Sequence, residues 1–336
     1  MLEKPILPDE RIAAMLREAY GLRAASLEFL PLGADANTAV FRVLDDQVVP
    51  WFLKLRAGTF DETSVLVPSR LHEHGIRPII PPSRTTAGQL WAHLDAYTCI
   101  LYPFIAGRDG FERALSDRQW PEFGAALRAI HAMALPDDLR RRISVENYSS
   151  FWRDRVDYQA QVERGAYADP VTTRLAAFMR DQRPEISRLI ERADRLGRAL
   201  QSKSPERVLC HADLHAGNLL LTEDGAFYIV DWDAPILAPK ERDLMFIGGG
   251  IGHIWNSPRE EALFYRGYGA AELDLSALAY YRYERIVEDI AAFCEQILGV
   301  QGSRDDRERG LGFFTSCFEP GGVIDIARDT DRLLQR

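Results

Sequence analysis

The chain has 336 residues, 46% of them hydrophobic, which is enough for two domains or one bilobal unit around an ordinary core, and its abundant charges of both signs argue against disorder. Lys and Arg (41) are outnumbered by Asp and Glu (50); the formal charge of −9 argues against nucleic acid as a general partner and suits a small cationic one. Nowhere do about eighteen apolar residues run together, the N-terminus has no basic segment followed by an apolar run, and four cysteines lie scattered, so the expectation is a reduced, cytoplasmic protein with no membrane role and no obligate protein partner in evidence.

Ile12, Met15, Leu16, Ala19 and Tyr20 recur at helical spacing between the Pro8-Asp9 start signal and Gly21. Three β-like runs follow at 26–31, 39–44 and 50–55. The turn Gly33 to Thr38 holds a single glycine and is as compatible with an ordinary hairpin as with a loop whose N–H groups cover an anion. Lys54 lies between Leu53 and Leu55 in the third run, a position that is either a surface lysine on an alternating strand or a phosphate-binding one. A helix over about 61–74 offers Glu62 and Glu73, with Pro68 expected to kink or restart it. Runs at 88–94 and 97–102 close the small sheet, and Tyr102-Pro103-Phe104-Ile105-Ala106-Gly107 has the character of a linker with an apolar slot, placing a boundary near 103. Helical patterns then dominate at 117–133, 148–163, 171–200 with Pro184 as a break or first-turn residue, 258–268, 275–298 and 305–317.

The densest chemistry falls in Cys210-His211-Ala212-Asp213-Leu214-His215-Ala216-Gly217-Asn218, followed after a Thr-Glu-Asp-Gly turn by Phe227-Tyr228-Ile229-Val230-Asp231. The pattern is strand, loop, strand, turn, strand, and it has the form H-x-D-L-x-x-x-N with a second Asp after a short hairpin. Phosphoryl transfer needs a carboxylate for the proton of the attacking hydroxyl, which Asp213 supplies, and hard oxygen ligands for magnesium, which Asn218 and Asp231 supply. Two other interpretations remain open from the residues alone: a capped turn with a core histidine, or a metallohydrolase using His211, Asp213 and His215.

Together with Leu32 to Thr38, Phe52 to Leu55, Tyr102 to Ile105, Ile229 to Asp233, Ala238 to Gly250 and Tyr281 to Ile290, this loop resembles the aminoglycoside phosphotransferases of the kinase-like superfamily, and the last two stretches are most similar to their spectinomycin branch. The resemblance implies an α+β, bilobal protein-kinase-like fold: a small β-rich N-terminal lobe (1–103) that binds nucleotide and a larger, mainly helical C-terminal lobe (104–336) with the catalytic loop and acceptor pocket. It implies ATP and Mg2+ as cofactors and phosphorylation of a small cationic aminocyclitol. Asp213 would be the base and His211 would shape the loop. Lys54 would steady the phosphates, with Glu62 as its partner and Asn37 and Thr38 nearby. Tyr102, Phe104 and Ile105 would hold the adenine, Asn218 and Asp231 the metal. Asp233, Trp255, Glu284 and Glu288 are the candidates for the acceptor side, Glu284 and Glu288 being one helical turn apart; Asp233 is also compatible with a carboxylate that supports the metal ligands, a metal ligand itself or a helix-start residue before Ala234-Pro235, and Glu284 and Glu288 equally with a solvated pair alongside Arg282 and Arg285. Asp243 matches a position that hydrogen-bonds the catalytic loop. Ala212 replaces the protein-kinase arginine, Asp231-Trp232-Asp233 replaces D-F-G and no A-P-E follows, so control by activation-loop phosphorylation is not expected. Kinases of choline, homoserine or a thiosugar, and a non-catalytic nucleotide-binding regulator, are the alternatives.

Overall fold

The computed structural model describes residues 4–32, 37–149, 162, 165, 167–251, 253–298 and 304–334. Gly33 to Ala36 of the expected phosphate-covering turn, and nearly all of the expected 148–163 helix, lie outside the described residues. The chain forms two compact units, each assembled from separate segments: Met1–Ala114 with Ala134–Ile143 and Gly217–Pro235, and Leu115–Met133 with Ser144–Ala216 and Ile236–Arg336.

In the first unit, β1 (Ala24–Leu30), β2 (Thr38–Asp45), β3 (Pro50–Ala57), β4 (Ala92–Leu94) and β5 (Tyr97–Pro103) make an antiparallel sheet in the order β1-β2-β3-β5-β4. Because side chains alternate along a strand, Phe41, Val43, Leu53, Leu55, Cys99 and Leu101 share one face, where they bury Ile12, Met15 and Leu16 of helix α1 (Asp9–Tyr20). Ile100 on the other face packs with Val65 of α2 (Thr63–Glu73) and Leu90. Lys54 lies opposite both Val40 and Ile100 in the strand register and so belongs to this second face. The same unit contains β6 (Arg108–Asp109), the short helix α4 (Asp137–Arg140), and β9 (Leu219–Leu221) with β10 (Phe227–Ile229), paired in the order β10-β9-β6.

The second unit is mainly helical. It comprises α3 (Gln119–His131), α5 (Pro170–Lys203), α6 (Glu241–Leu244), α7 (Pro258–Tyr268), α8 (Leu275–Leu298), α9 (Arg304–Ser316) and α10 (Val323–Leu333), with β7 (Ser144–Val145), β11 (Ile236–Ala238) and β8 (Val208–Cys210) as a small sheet in the order β7-β11-β8. Asp169 caps α5, its carboxylate accepting the Thr172 N–H at 3.0 Å, and Pro170 occupies the first turn where no N–H is needed. Helix α5 continues through Pro184 instead of breaking or starting there, and α2 runs through Pro68 without restarting. A proline inside a helix costs about 3 kcal/mol. In α5 the buried stripe runs on both sides of it, through Leu175, Met179, Ile186, Leu189 and Leu196, and each such side chain contributes about 1.5–3 kcal/mol on burial. Helix α10 was not expected from the sequence; its buried side is Ile324, Ala327 and Thr330.

Helices α3 and α7 meet through glycine. A Cβ at Gly124 would stand 2.2 Å from the carbonyl oxygen of Phe264, and one at Gly267 1.7 Å from that of Pro121. Neither position has room for a side chain.

Candidate active site

In the first unit the central strand β3 carries Lys54 and Arg56 on one face, two residues apart. The chain returns to them after β10. Ile229 N–H donates to Pro78 O at 2.8 Å and Val230 N–H to Asn218 O at 3.0 Å, and buried Trp232 ties its indole N–H to Ile229 O at 3.1 Å. Between these anchors Asp231 adopts a left-handed backbone with φ +63°, uncommon for a residue with a Cβ and a mark of a constrained turn. Lys54 Nζ then lies 2.7 and 2.8 Å from the two Asp233 oxygens and 3.4 Å from Asp231 Oδ1, while Arg56 Nη1 donates to Asp233 Oδ2 at 2.7 Å. Burial opposes the charge on Asp233, but Lys54 and Arg56 outweigh it and hold the carboxyl below its ordinary range. Burial also raises the Tyr102 phenol, helped by the charges of Asp233 and Asp231.

This geometry corrects two assignments. Glu62 does not pair with Lys54: it precedes the first residue of α2 and its carboxylate meets Arg142 Nη1 at 2.6 Å. Glu73, the other glutamate of that stretch, pairs with Arg70 and Arg84. Asp233, counted with the acceptor residues, is instead the partner of Lys54, because the turn after β10 brings it closer to β3 than the start of α2 brings Glu62. Arg56 was not anticipated, although a cation two residues from Lys54 had to share its face. Thr38 pairs with Arg56 in the β2–β3 register, and Asn37 O accepts the Ala57 N–H at 2.9 Å, so both sit at the Arg56 end of the ladder. Tyr102 belongs to β5, opposite Phe52. Phe104 follows the strand with its N–H on Pro50 O at 3.3 Å and the Arg42 guanidinium 5.1 Å from its ring centroid, with Ile105 partly exposed beyond it.

Asn218 ends a single 3-10 turn (Ala216–Asn218) and is largely buried, whereas half of the Asp231 side chain is exposed. The hydrogen bond from Val230 to Asn218 O links the two segments directly. A carboxamide and a carboxylate are hard oxygen donors of the kind magnesium takes, and the residues present fit that ion.

In the second unit, β8 delivers His211, Ala212 and Asp213. Asp243 on α6, fully buried, accepts the His211 N–H at 2.9 Å on one oxygen and the Ala212 N–H at 2.8 Å on the other. His131 Nε2 stands 3.1 Å from Asp243 Oδ2, and its other ring nitrogen meets the Tyr268 hydroxyl at 2.8 Å. Burial works against ionisation of Asp243, yet His131, His211 and these N–H groups keep its carboxyl below the ordinary range. The Asp213 N–H in turn points to His211 Nδ1 at 3.3 Å. His211 is thus engaged by its own loop, which is poorly suited to a metal centre made with Asp213 and His215. His131, Cys210 and Asp243 also converge, but Cys210 Sγ faces the carbonyls of Ala238 and Pro239 at 3.6 and 3.5 Å and the other two are engaged as described.

The Asp213 side chain, 46% exposed, receives Arg285 Nη1 on Oδ1 at 2.5 Å and has His215 Nε2 3.4 Å from Oδ2. Burial disfavours its charge, but His215 and Arg285 prevail and the carboxyl is pushed far below its ordinary value, so it is ionised throughout the physiological range. Arg285 also approaches Asp289 Oδ1 with Nε at 2.9 Å. Burial, with the neighbouring Glu288 and Asp213 charges, raises the Asp289 carboxyl to about 6 against the pull of Arg285. An open pocket borders this cluster, walled by Met245, Phe246, Arg282, Arg285, Asp289 and Cys317.

Two of the expected acceptor residues lie in the core instead. Trp255 is 4% exposed and packs its ring 5.3 Å from that of Trp120 and 5.6 Å from that of Phe123. Glu284 is 5% exposed, because α8 is buried on more than one side and position 284 falls among Tyr280, Tyr281 and Val287. Glu288 remains partly exposed, its charge felt by Arg242 and Arg285. Arg285 and Asp289 were missed as functional candidates; their i, i+4 spacing is that of an ordinary helix-surface pair.

The sequence model of a family described as a phosphotransferase enzyme family matches residues 28–282. Among solved structures, a spectinomycin phosphotransferase in complex with ADP and spectinomycin is 36% identical, with a TM-score of 0.89 over 98% of this chain and all of that one. An AMP-bound complex of spectinomycin phosphotransferase is 35% identical, with a TM-score of 0.84 over 97% of this chain and all of the other. An amicoumacin kinase in complex with AMP-PNP, Ca2+ and Ami, 16% identical and covering 96% of this chain and 94% of its own, shares the fold with a TM-score of 0.62. The α+β, kinase-like architecture is therefore that of these enzymes. Among the described residues no helix is long and apolar enough to cross a membrane.

Proposed function

The chain belongs to the phosphotransferase enzyme family, and from that premise we propose that it transfers the γ-phosphoryl group of ATP to a hydroxyl of spectinomycin or a related aminocyclitol, in the cytoplasm, inactivating the drug. The observation that carries the acceptor class is 36% identity, end to end, to a spectinomycin phosphotransferase whose structure holds ADP and spectinomycin. The chemistry is supported by the residues themselves. Asp213 is an ionised carboxylate on a backbone fixed by Asp243, placed to orient the acceptor hydroxyl and take its proton. Lys54, with Arg56 behind it, offers positive charge to the phosphates. Asn218 and Asp231 would hold magnesium, which when bound neutralises charge on the phosphate oxygens. Tyr102, Phe104 and Ile105 would take the adenine. Because such transfer is mostly positioning and electrostatics, the rate depends on how rigidly these groups are held.

The test is ADP release by purified protein with ATP and magnesium, in the presence of spectinomycin, aminoglycosides, choline or homoserine. Spectinomycin-dependent turnover is expected, and Asp213→Asn should abolish it in a protein that still folds. Turnover with a different acceptor removes spectinomycin from the assignment, and near-normal turnover in Asp213→Asn removes Asp213 as the base.

A further inference from the structure

The clamp from Asp243 fixes the backbone of His211 and Ala212 but leaves the side-chain torsions of Asp213 open. Those torsions are addressed from helix α8. Arg285 Nη1 donates to Asp213 Oδ1 at 2.5 Å, and the guanidinium is itself held on two sides: Asp289 Oδ1 lies 2.9 Å from Nε, and the ring of Phe246 lies beneath the group with its centroid 5.6 Å from Cζ. Phe246 also packs edge-on against the ring of His215, whose Nε2 faces the other oxygen of Asp213. An exposed ion pair is commonly dispensable. This arginine differs because its side chain is 19% exposed, stacked on an aromatic face and set between two carboxylates. A helix-borne guanidinium that donates one N–H to one oxygen, with a second carboxylate facing its Nε and an aromatic ring beneath it, is a rigid way to aim a carboxylate.

We propose that Arg285 is a positioning residue for Asp213: its hydrogen bond to Oδ1 orients the carboxylate so that Oδ2 serves the acceptor hydroxyl, with Asp289 and Phe246 holding the guanidinium in place. The proposal rests on Asp213 being the phosphotransfer base. A purely structural link between α8 and the loop would serve folding and leave the chemistry of Asp213 untouched, so the two roles separate experimentally.

In Arg285→Ala, kcat with the acceptor found above should fall roughly 10- to 100-fold, the size of effect a small misplacement of a reacting group produces, with little change in KM for ATP. Arg285→Lys should recover only part of the loss, since an ammonium keeps the charge without the fork, and added guanidinium ion should restore Arg285→Ala while leaving the wild type unaffected. A second readout needs no turnover: carboxyl 13C NMR of Asp213, identified by its loss in Asp213→Asn. The wild-type signal should stay that of a carboxylate down to the acid limit of folding. In Arg285→Ala its titration should move upward, with His211, His215, Glu288 and Asp289 still in place around it. Unchanged titration and unchanged kcat in a folded Arg285→Ala protein would overturn the proposal. If that variant does not fold, Arg285→Lys and Asp289→Asn carry the same two readouts. If the wild type turns over no acceptor, the functional assignment fails while the NMR comparison still decides the role of Arg285.

Discussion

Asp243 Oδ1 accepts the N–H of Ala212 at 2.8 Å while Ala212 sits at φ +77°, in the left-handed region where a Cβ costs about 1–2 kcal/mol. The strained residue immediately before Asp213 is therefore held by a buried carboxylate, which also takes the His211 N–H and faces His131. Replacing Asp243 by Ala strands those partners without water, and a loss of about 3–5 kcal/mol of stability is expected, with a fall in kcat. Urea unfolding measures it. The folded Asp243 carboxyl lies below its unfolded value near 3.9, so its contribution is complete above that pH and is lost as pH falls through the folded value. The gap between wild type and Asp243→Ala should accordingly stay constant from pH 7 to about 5 and close in stronger acid.

Lys54, Arg56 and Asp233 form one network, and its members should separate by their effect on nucleotide. Lys54→Ala is expected to lower kcat/KM for ATP by on the order of 100-fold, the usual loss when a charge-stabilising donor is removed. Glu62→Ala should do far less, since its carboxylate is partly exposed and paired with Arg142. Steady-state kinetics with varied ATP tests both. A loss in Glu62→Ala as large as in Lys54→Ala would restore Glu62 as the lysine's functional partner.

Trp255 gives the opposite kind of prediction. Its ring is packed with Trp120 and Phe123, so Trp255→Ala should cost about 3–5 kcal/mol through the cavity it leaves. The fraction of protein that remains folded should keep its KM for the acceptor. A raised KM at unchanged stability would return Trp255 to the acceptor site.

These contrasts mark what was legible in the chain. The spacing His211, Asp213, Asn218 and Asp231 is local: a strand, a turn and a hairpin set it, and the structure places those residues on those elements. Lys54 was legible because a cation stands between two leucines in a mostly apolar run. Its partner was not, because Asp233 lies 179 residues away and is chosen by how the turn after β10 returns to the sheet. Arg285 and Asp289 were hidden by an i, i+4 spacing that most often marks a solvated helix face, and Glu284 by the opposite error, since no local pattern tells that its side of α8 is buried. The continuity of α5 across Pro184 is likewise a property of what the helix packs against.

The glycine contact between α3 and α7 bears on any attempt to make this protein more heat-tolerant. Exchanging helical glycines for alanine is a standard route, worth about 0.4–1 kcal/mol through the unfolded chain. At Gly124 and Gly267 the added methyl would meet a carbonyl oxygen 2.2 and 1.7 Å away, and the helices would have to part. Since α3 ends at His131, which faces Asp243, the displacement would be passed to the loop that carries Asp213. Gly267→Ala should therefore lower both the melting temperature and the turnover of the folded protein, whereas Gly312→Ala, where nothing lies within 4 Å of the new atom, should leave turnover intact. Thermal tolerance and catalytic alignment draw on the same few ångströms of helix spacing.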